Sequence, residues 1–182
     1  MRRIFSLTTL SLLVASAALA QGAPPAAPPV PAPPPQLQVL APEKTLSLDL
    51  ALEAAQAALA FCKASNPTSL AFVEVMDSNL TPIVVLGADG ARPNLATLAR
   101  RKAYTVIKKQ MSSGDFGKQI GPRDRAAPPI DGDVELITFA GAVPVKRGET
   151  IVAAISISGP TGAPADEACA NAGLDKIKNR VR

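Results

Sequence analysis

Few side chains in this sequence can do chemistry, and the absent ones narrow the choice first. None of the 182 residues is histidine, which removes Ser–His and Cys–His nucleophile pairs along with the commonest metal ligand. Cys62 and Cys169 are the only thiols, so a zinc site built from His and Cys is excluded as well. The densest remaining constellation is Arg100, Arg101, Lys102, Tyr104 and Lys108. At helical spacing Tyr104 shares a neighbourhood with Arg100, Arg101 and Lys108. Those cations would lower the pKa of the phenol or bind carboxylates; the plain alternative is a basic helix face. Lys102 would bind an anion or pair with Asp89 or Asp166. Thr161 and Gly162 precede the last helix, where backbone N–H groups can hold an anion or merely cap the helix. Ser156-Ile157-Ser158-Gly159 lacks the first glycine of G-x-S-x-G, and no phosphate loop, G-x-G-x-x-G or zinc spacing occurs. No catalytic residue is assigned on this basis.

The elements that must position these residues follow from patterning. Arg2 and Arg3, an apolar run from Ile4 to Leu19, and Ala18-Leu19-Ala20 have the three parts of a cleavable signal peptide over residues 1–20. The run is too short and alanine-rich for a membrane anchor, which needs roughly 20 strongly apolar residues. No second such stretch follows, so no membrane span is expected after cleavage, and a periplasmic or secreted location is. Residues 21–44 form a Pro/Ala-rich spacer, with eight prolines between Pro24 and Pro35. Such composition favours an extended, semi-rigid spacer that would hold the domain away from a surface or bind a partner; the plain alternative, a disordered leader, is the favoured one. Cleavage leaves 17 basic against 15 acidic residues, because Arg2 and Arg3 belong to the leader. With no Trp and the single Tyr104, nothing points to nucleic acid, which calls for a concentrated basic face and stacking aromatics.

Residues 45–182 form one domain. Ser47 reads as an N-cap with Asp49 in the first turn, and Leu48, Leu52, Ala55, Leu59 and Cys62 recur at helical spacing up to Asn66-Pro67 and predict one apolar face. Ser69–Val75 and Ile83–Leu86 have strand composition around a turn at Asp77-Ser78-Asn79. Asn94 caps a second helix. Residues 112–133 are rich in Gly, Pro and charge and predict a long loop. Glu135–Phe139, Val143–Val145 and Ile151–Ile157 follow as strands, and Pro164 opens a last helix with Asp166 and Glu167 in its first turn. Short turns between strands imply an antiparallel sheet covered by helices, an α/β (α+β) class. Two cysteines in an oxidising compartment suggest a Cys62–Cys169 disulfide against the alternative of two buried thiols. Those positions would meet if the first and last helices packed antiparallel.

In this layout the domain resembles the GlcG/HbpS-like family from Leu46 to about Ile177. The resemblance rests on Leu46-Ser47-Leu48-Asp49-Leu50-Ala51, on Asp89-Gly90-Ala91 with Arg101-Lys102-Ala103, on Gly141-Ala142-Val143-Pro144-Val145, and on Ala153–Gly159 leading to Asp166-Glu167-Ala168-Cys169-Ala170. It implies a profilin-like, five-stranded antiparallel sheet between helices, a homo-oligomer, and haem or a related tetrapyrrole as ligand. Lys102, Tyr104, Arg101, Asp89, Gly141, Thr161 and Gly162 are then the candidate ligand-binding residues. Without histidine, the candidates for haem iron are Tyr104, Met76 and Met111. The sequence departs from the family at Asp77-Ser78-Asn79-Leu80, where a glycine pair is expected, at Gly141-Ala142 and at Ser156. Lost glycines imply an altered pocket. Besides a binding protein, the alternatives are an interaction module tethered by the spacer and a weak enzyme using Lys102 or Tyr104.

Overall fold

The computed structural model describes residues 45–124, 127–159 and 162–182. The leader, the spacer and Thr161 lie outside these residues. Helix α1, Leu48–Ser65, starts at Ser47, whose Oγ accepts the Leu50 N–H at 3.4 Å. It ends at Asn66, as the following proline requires. Strands β1, Phe72–Asp77, and β2, Pro82–Gly87, form a hairpin. Its turn is held by Asp77, whose Oδ1 accepts from the N–H groups of Asn79 and Thr81 at 2.8 and 2.9 Å. Leu80 adopts the left-handed φ of 66° that a glycine would otherwise supply. Helix α2, Pro93–Lys109, is entered from Arg92 with proline in its first turn, not from Asn94.

Residues 112–133 are not one long loop. Ser113–Ile120 form helix α3, with the Ser112 Oγ accepting the Asp115 N–H at 3.0 Å and Phe116 buried beneath it. Gly114 and Gly117, which signal a break in the sequence, are instead contact glycines. A Cβ at Gly114 would collide with the Glu167 carboxylate and one at Gly117 with the Thr138 carbonyl. Strands β3, Ala142–Arg147, and β4, Thr150–Ser158, complete the sheet, and helix α4, Ala163–Ile177, ends the domain with a 3₁₀ turn at Lys178–Arg180.

The sheet order is β2-β1-β4-β3 with every pair antiparallel. Among the described residues it has four strands, not the five the family resemblance implies. Glu135–Phe139, expected as a strand, runs along α2 instead. Its polar backbone is satisfied by side chains: Arg101 donates to the carbonyls of Val134, Glu135 and Leu136. The Thr105 Oγ1 accepts the Ile137 N–H at 3.1 Å. A segment whose backbone groups are met this way has no need of a sheet edge.

Helices α1 and α4 cover one face, where Ala54, Ala58, Val73, Val75, Ile155 and Ile157 are buried together. Helix α2 covers the other over Met76, Ala103, Val106, Ile151 and Ala154. Residues 151–158 of β4 are buried throughout because helices lie on both sides of it. Cys62 and Cys169 are joined in a disulfide, with Cα atoms 5.4 Å apart, tying α1 to α4. No described helix is long and apolar enough to cross a membrane.

Candidate functional site

Lys102 leaves α2 toward the end of the sheet. Its Nζ donates to Asp166 Oδ2 at 2.7 Å and to the Ile157 carbonyl at 2.9 Å, with both side chains almost fully buried. Burial lowers the Lys102 pKa, and the Asp166 carboxylate opposes that effect. Burial likewise raises the Asp166 pKa, opposed by Lys102. Of the two partners open to Lys102 in the sequence, the fold selects Asp166; Asp89 is exposed beside a separate cleft of about 270 Å³ near Cys62 and Ser69. Gly141 belongs to this bolt between α2 and α4. Its φ is 129°, and a Cβ there would stand 2.7 Å from Lys102 Nζ and 2.8 Å from the Ile157 carbonyl. The three residues are therefore brought together, but inside the protein and in contact with one another.

Tyr104 faces the 127–139 segment. Its hydroxyl donates to Asp133 Oδ2 at 2.8 Å, and this hydrogen bond, followed by burial, raises its pKa. The lowering expected from its cationic neighbours does not occur: Lys108 lies over the ring at 5.9 Å, but the carboxylate dominates because a phenol that donates to it resists losing its proton. Arg101 is occupied by the carbonyls of residues 134–136. Of the remaining candidates for iron, Met76 is fully buried in β1 under α2, and Met111 packs on the Phe116 cluster. No described group of three or more His, Cys, Asp and Glu could hold a metal ion.

An open groove bordered by α3 and α4 lies elsewhere. Helix α3, the 138–140 segment and the start of α4 surround an open depression of about 820 Å³, within the range of roughly 300–1,000 Å³ of small-molecule sites. Its walls are apolar: Phe139 is 55 % exposed, and Ala140, Pro122 and Pro164 lie beside it. The glycines of α3 let Glu167 and the Thr138 backbone pack directly against that helix at the base of the depression. Lys118 and Arg123 stand on its rim, and Glu167 is the acid facing it. Lys118 bonds Asp115 at 2.9 Å, an exposed pair of small worth that a ligand can displace. Arg123 donates to the Pro128 carbonyl. Gly162, at the N-cap of α4, adjoins the groove residues Ala163 and Pro164.

Residues 46–175 match the HbpS-like family, described as haem degrading protein HbpS-like. The chain belongs to the HbpS-like family. A double mutant of Streptomyces reticuli HbpS is similar at 30% identity over 83% of this chain and 97% of that one, with a TM-score of 0.64. A second HbpS structure matches at 28% identity over 80% and 97%, with a TM-score of 0.64. A PduOC–haem complex shares the fold at 19% identity over 73% and 95%, again with a TM-score of 0.64. No curated protein matches the chain. Within this HbpS-like domain, sequence reasoning missed Gly114, Gly117 and Lys118, because α3 is hidden in a stretch that counts as loop by composition, and it missed Phe139 because Glu135–Phe139 has strand composition; Arg123 carried no signal. The signal that could have found it is Ser112 three residues before Asp115, an N-cap followed by an acid in the first turn.

Proposed function

We propose that the chain is an exported binding protein for haem or a similar planar tetrapyrrole, seated in the groove between α3, Phe139 and the start of α4. Residues 1–20 direct export to the periplasm or beyond, and residues 21–44 tether the domain. The observation that carries this reading is a wide apolar groove with two cations on its rim, in a domain of a haem-related family. A macrocycle would lie on Phe139 and the proline walls, and its carboxylates would meet Lys118 and Arg123.

The test is to produce the full chain in a Gram-negative host and recover it from the periplasm. Its intact mass reads cleavage after Ala20, and an uncleaved or cytoplasmic product overturns the export reading. Haemin is then titrated into the exported protein while the Soret band is followed. A saturable one-to-one shift supports the binding reading. A linear response overturns it and leaves a tethered interaction module as the better account.

A further inference from the structure

We infer that the groove holds its ligand by ring face and carboxylates, without a bond to a metal, so that metal-free tetrapyrroles and other flat apolar dicarboxylates belong to its ligand class. The inference rests on the groove being the tetrapyrrole site. Haem iron is ordinarily held by imidazole, thiolate, thioether or phenolate. The chain has no imidazole, and both its thiols are consumed in the disulfide. The Tyr104 oxygen is committed to Asp133, while Met76 and Met111 are packed in hydrophobic clusters away from the groove.

Among the described residues, the side-chain donors that line the groove are the Thr138 hydroxyl, the Glu167 carboxylate and the cations Lys118 and Arg123. A neutral hydroxyl is a poor donor to haem iron, and a protonated amine or guanidinium is none. Glu167 is only half-buried and abuts Gly114 of α3, so it acts on a ligand as a charge that repels carboxylates. What remains is contact with Phe139 and the proline walls, together with attraction to two cations. Both depend on the ring and its acid groups, and neither depends on the metal.

The experiment compares haemin with metal-free protoporphyrin IX on the exported protein, reading the Soret absorbance of each ligand. The expected result is dissociation constants that agree within about threefold, well under one RT-scaled decade. Phe139→Ala should weaken both ligands equally, by roughly tenfold, the worth of one aromatic contact. Lys118→Ala with Arg123→Ala should weaken both and flatten the salt dependence. Glu167→Gln should tighten both, because it removes the opposing charge. Saturable haemin binding with protoporphyrin IX more than tenfold weaker would overturn the inference while leaving the haem reading in place, as would a loss of haemin affinity alone in Glu167→Gln or Thr138→Val. If neither ligand binds, the tetrapyrrole reading falls and takes the inference with it.

Discussion

Replacing Glu74 with glutamine is expected to stabilise the domain at neutral and alkaline pH and to do nothing in acid. Glu74 lies on β1, on the face covered by α2, and is 3 % exposed. Its cross-strand neighbours are Val85 of β2 and Ser156 of β4. Neither can help it: valine has no donor, and the Ser156 hydroxyl is spent on the Ala99 carbonyl at 2.7 Å. Its Oε1 is accordingly buried without a partner. Burial pushes the carboxyl from 4.5 up to about 7, with the Arg100 charge pulling the other way. A folded-state pKa above the unfolded one means that the fold prefers the protonated acid. The native state then binds more protons than the unfolded chain between pH 4.5 and about 7, so stability falls with rising pH across that window and is level beyond it. At about 1.4 kcal/mol per pH unit the full penalty would be ~3 kcal/mol. Glutamine keeps the shape and carries no charge. The assay is urea unfolding of the oxidised parent and Glu74→Gln at several pH values from 4.5 to 8.5, read as the difference in ΔG. The difference should be near zero at the acid end and should grow through pH 7 in favour of the variant. Parallel curves, or a parent that gains on the variant as pH rises, would refute the reasoning.

Three further outcomes are expected. Lys102→Met or Asp166→Leu alone should destabilise by ~3–5 kcal/mol, because each leaves the other charge buried and unpaired, whereas the double variant should recover most of that loss; urea midpoints of the three proteins decide it. Gly141→Ala should cost about 2 kcal/mol or more, since the new Cβ meets atoms at 2.7–2.8 Å and the φ of 129° disfavours any side chain; a thermal midpoint equal to the parent's would contradict the bolt geometry. Reducing the Cys62–Cys169 bridge, whose ends are separated by 107 residues, should lower stability by ~4–5 kcal/mol in the chain-entropy account. The check is unfolding with and without a thiol reductant, and an unchanged midpoint would exclude a disulfide that constrains the unfolded chain.

Periodicity made much of the framework legible in the sequence. The helical period from Leu48 to Cys62 placed α1, although the face it buries is Ala51, Ala54, Ala55, Ala58 and Cys62 while Leu48 and Leu52 stay exposed; the β-rich runs placed β1, β2 and β4, and the acidic turn of Asp166 and Glu167 placed α4. These are local signals: a helix or strand with one apolar face states its period in a window of a dozen residues. The absence of histidine was equally legible, and it still governs the chemistry of the groove. Misreadings arose where a residue's local meaning and its tertiary meaning differ. Gly114 and Gly117 read as breakers, yet they sit in α3 because its backbone must touch Thr138 and Glu167. Glu135–Phe139 has strand composition, but Arg101 and Thr105 of a distant helix take up its backbone groups before any strand can.

The sequence by itself determined helices α1, α2 and α4, the strands of the sheet, the available reactive groups, and the resemblance to a haem-related family. Tertiary structure alone decided what each polar residue does. It sent Lys102 inward to Asp166, turned Tyr104 toward Asp133, and left Glu74 without a donor. It also assembled a groove from three segments spread between Gly114 and Glu167. The reason is physical. Backbone periodicity is set by neighbours along the chain, whereas the protonation, pairing and exposure of a side chain depend on groups brought near it only when the sheet and helices close together.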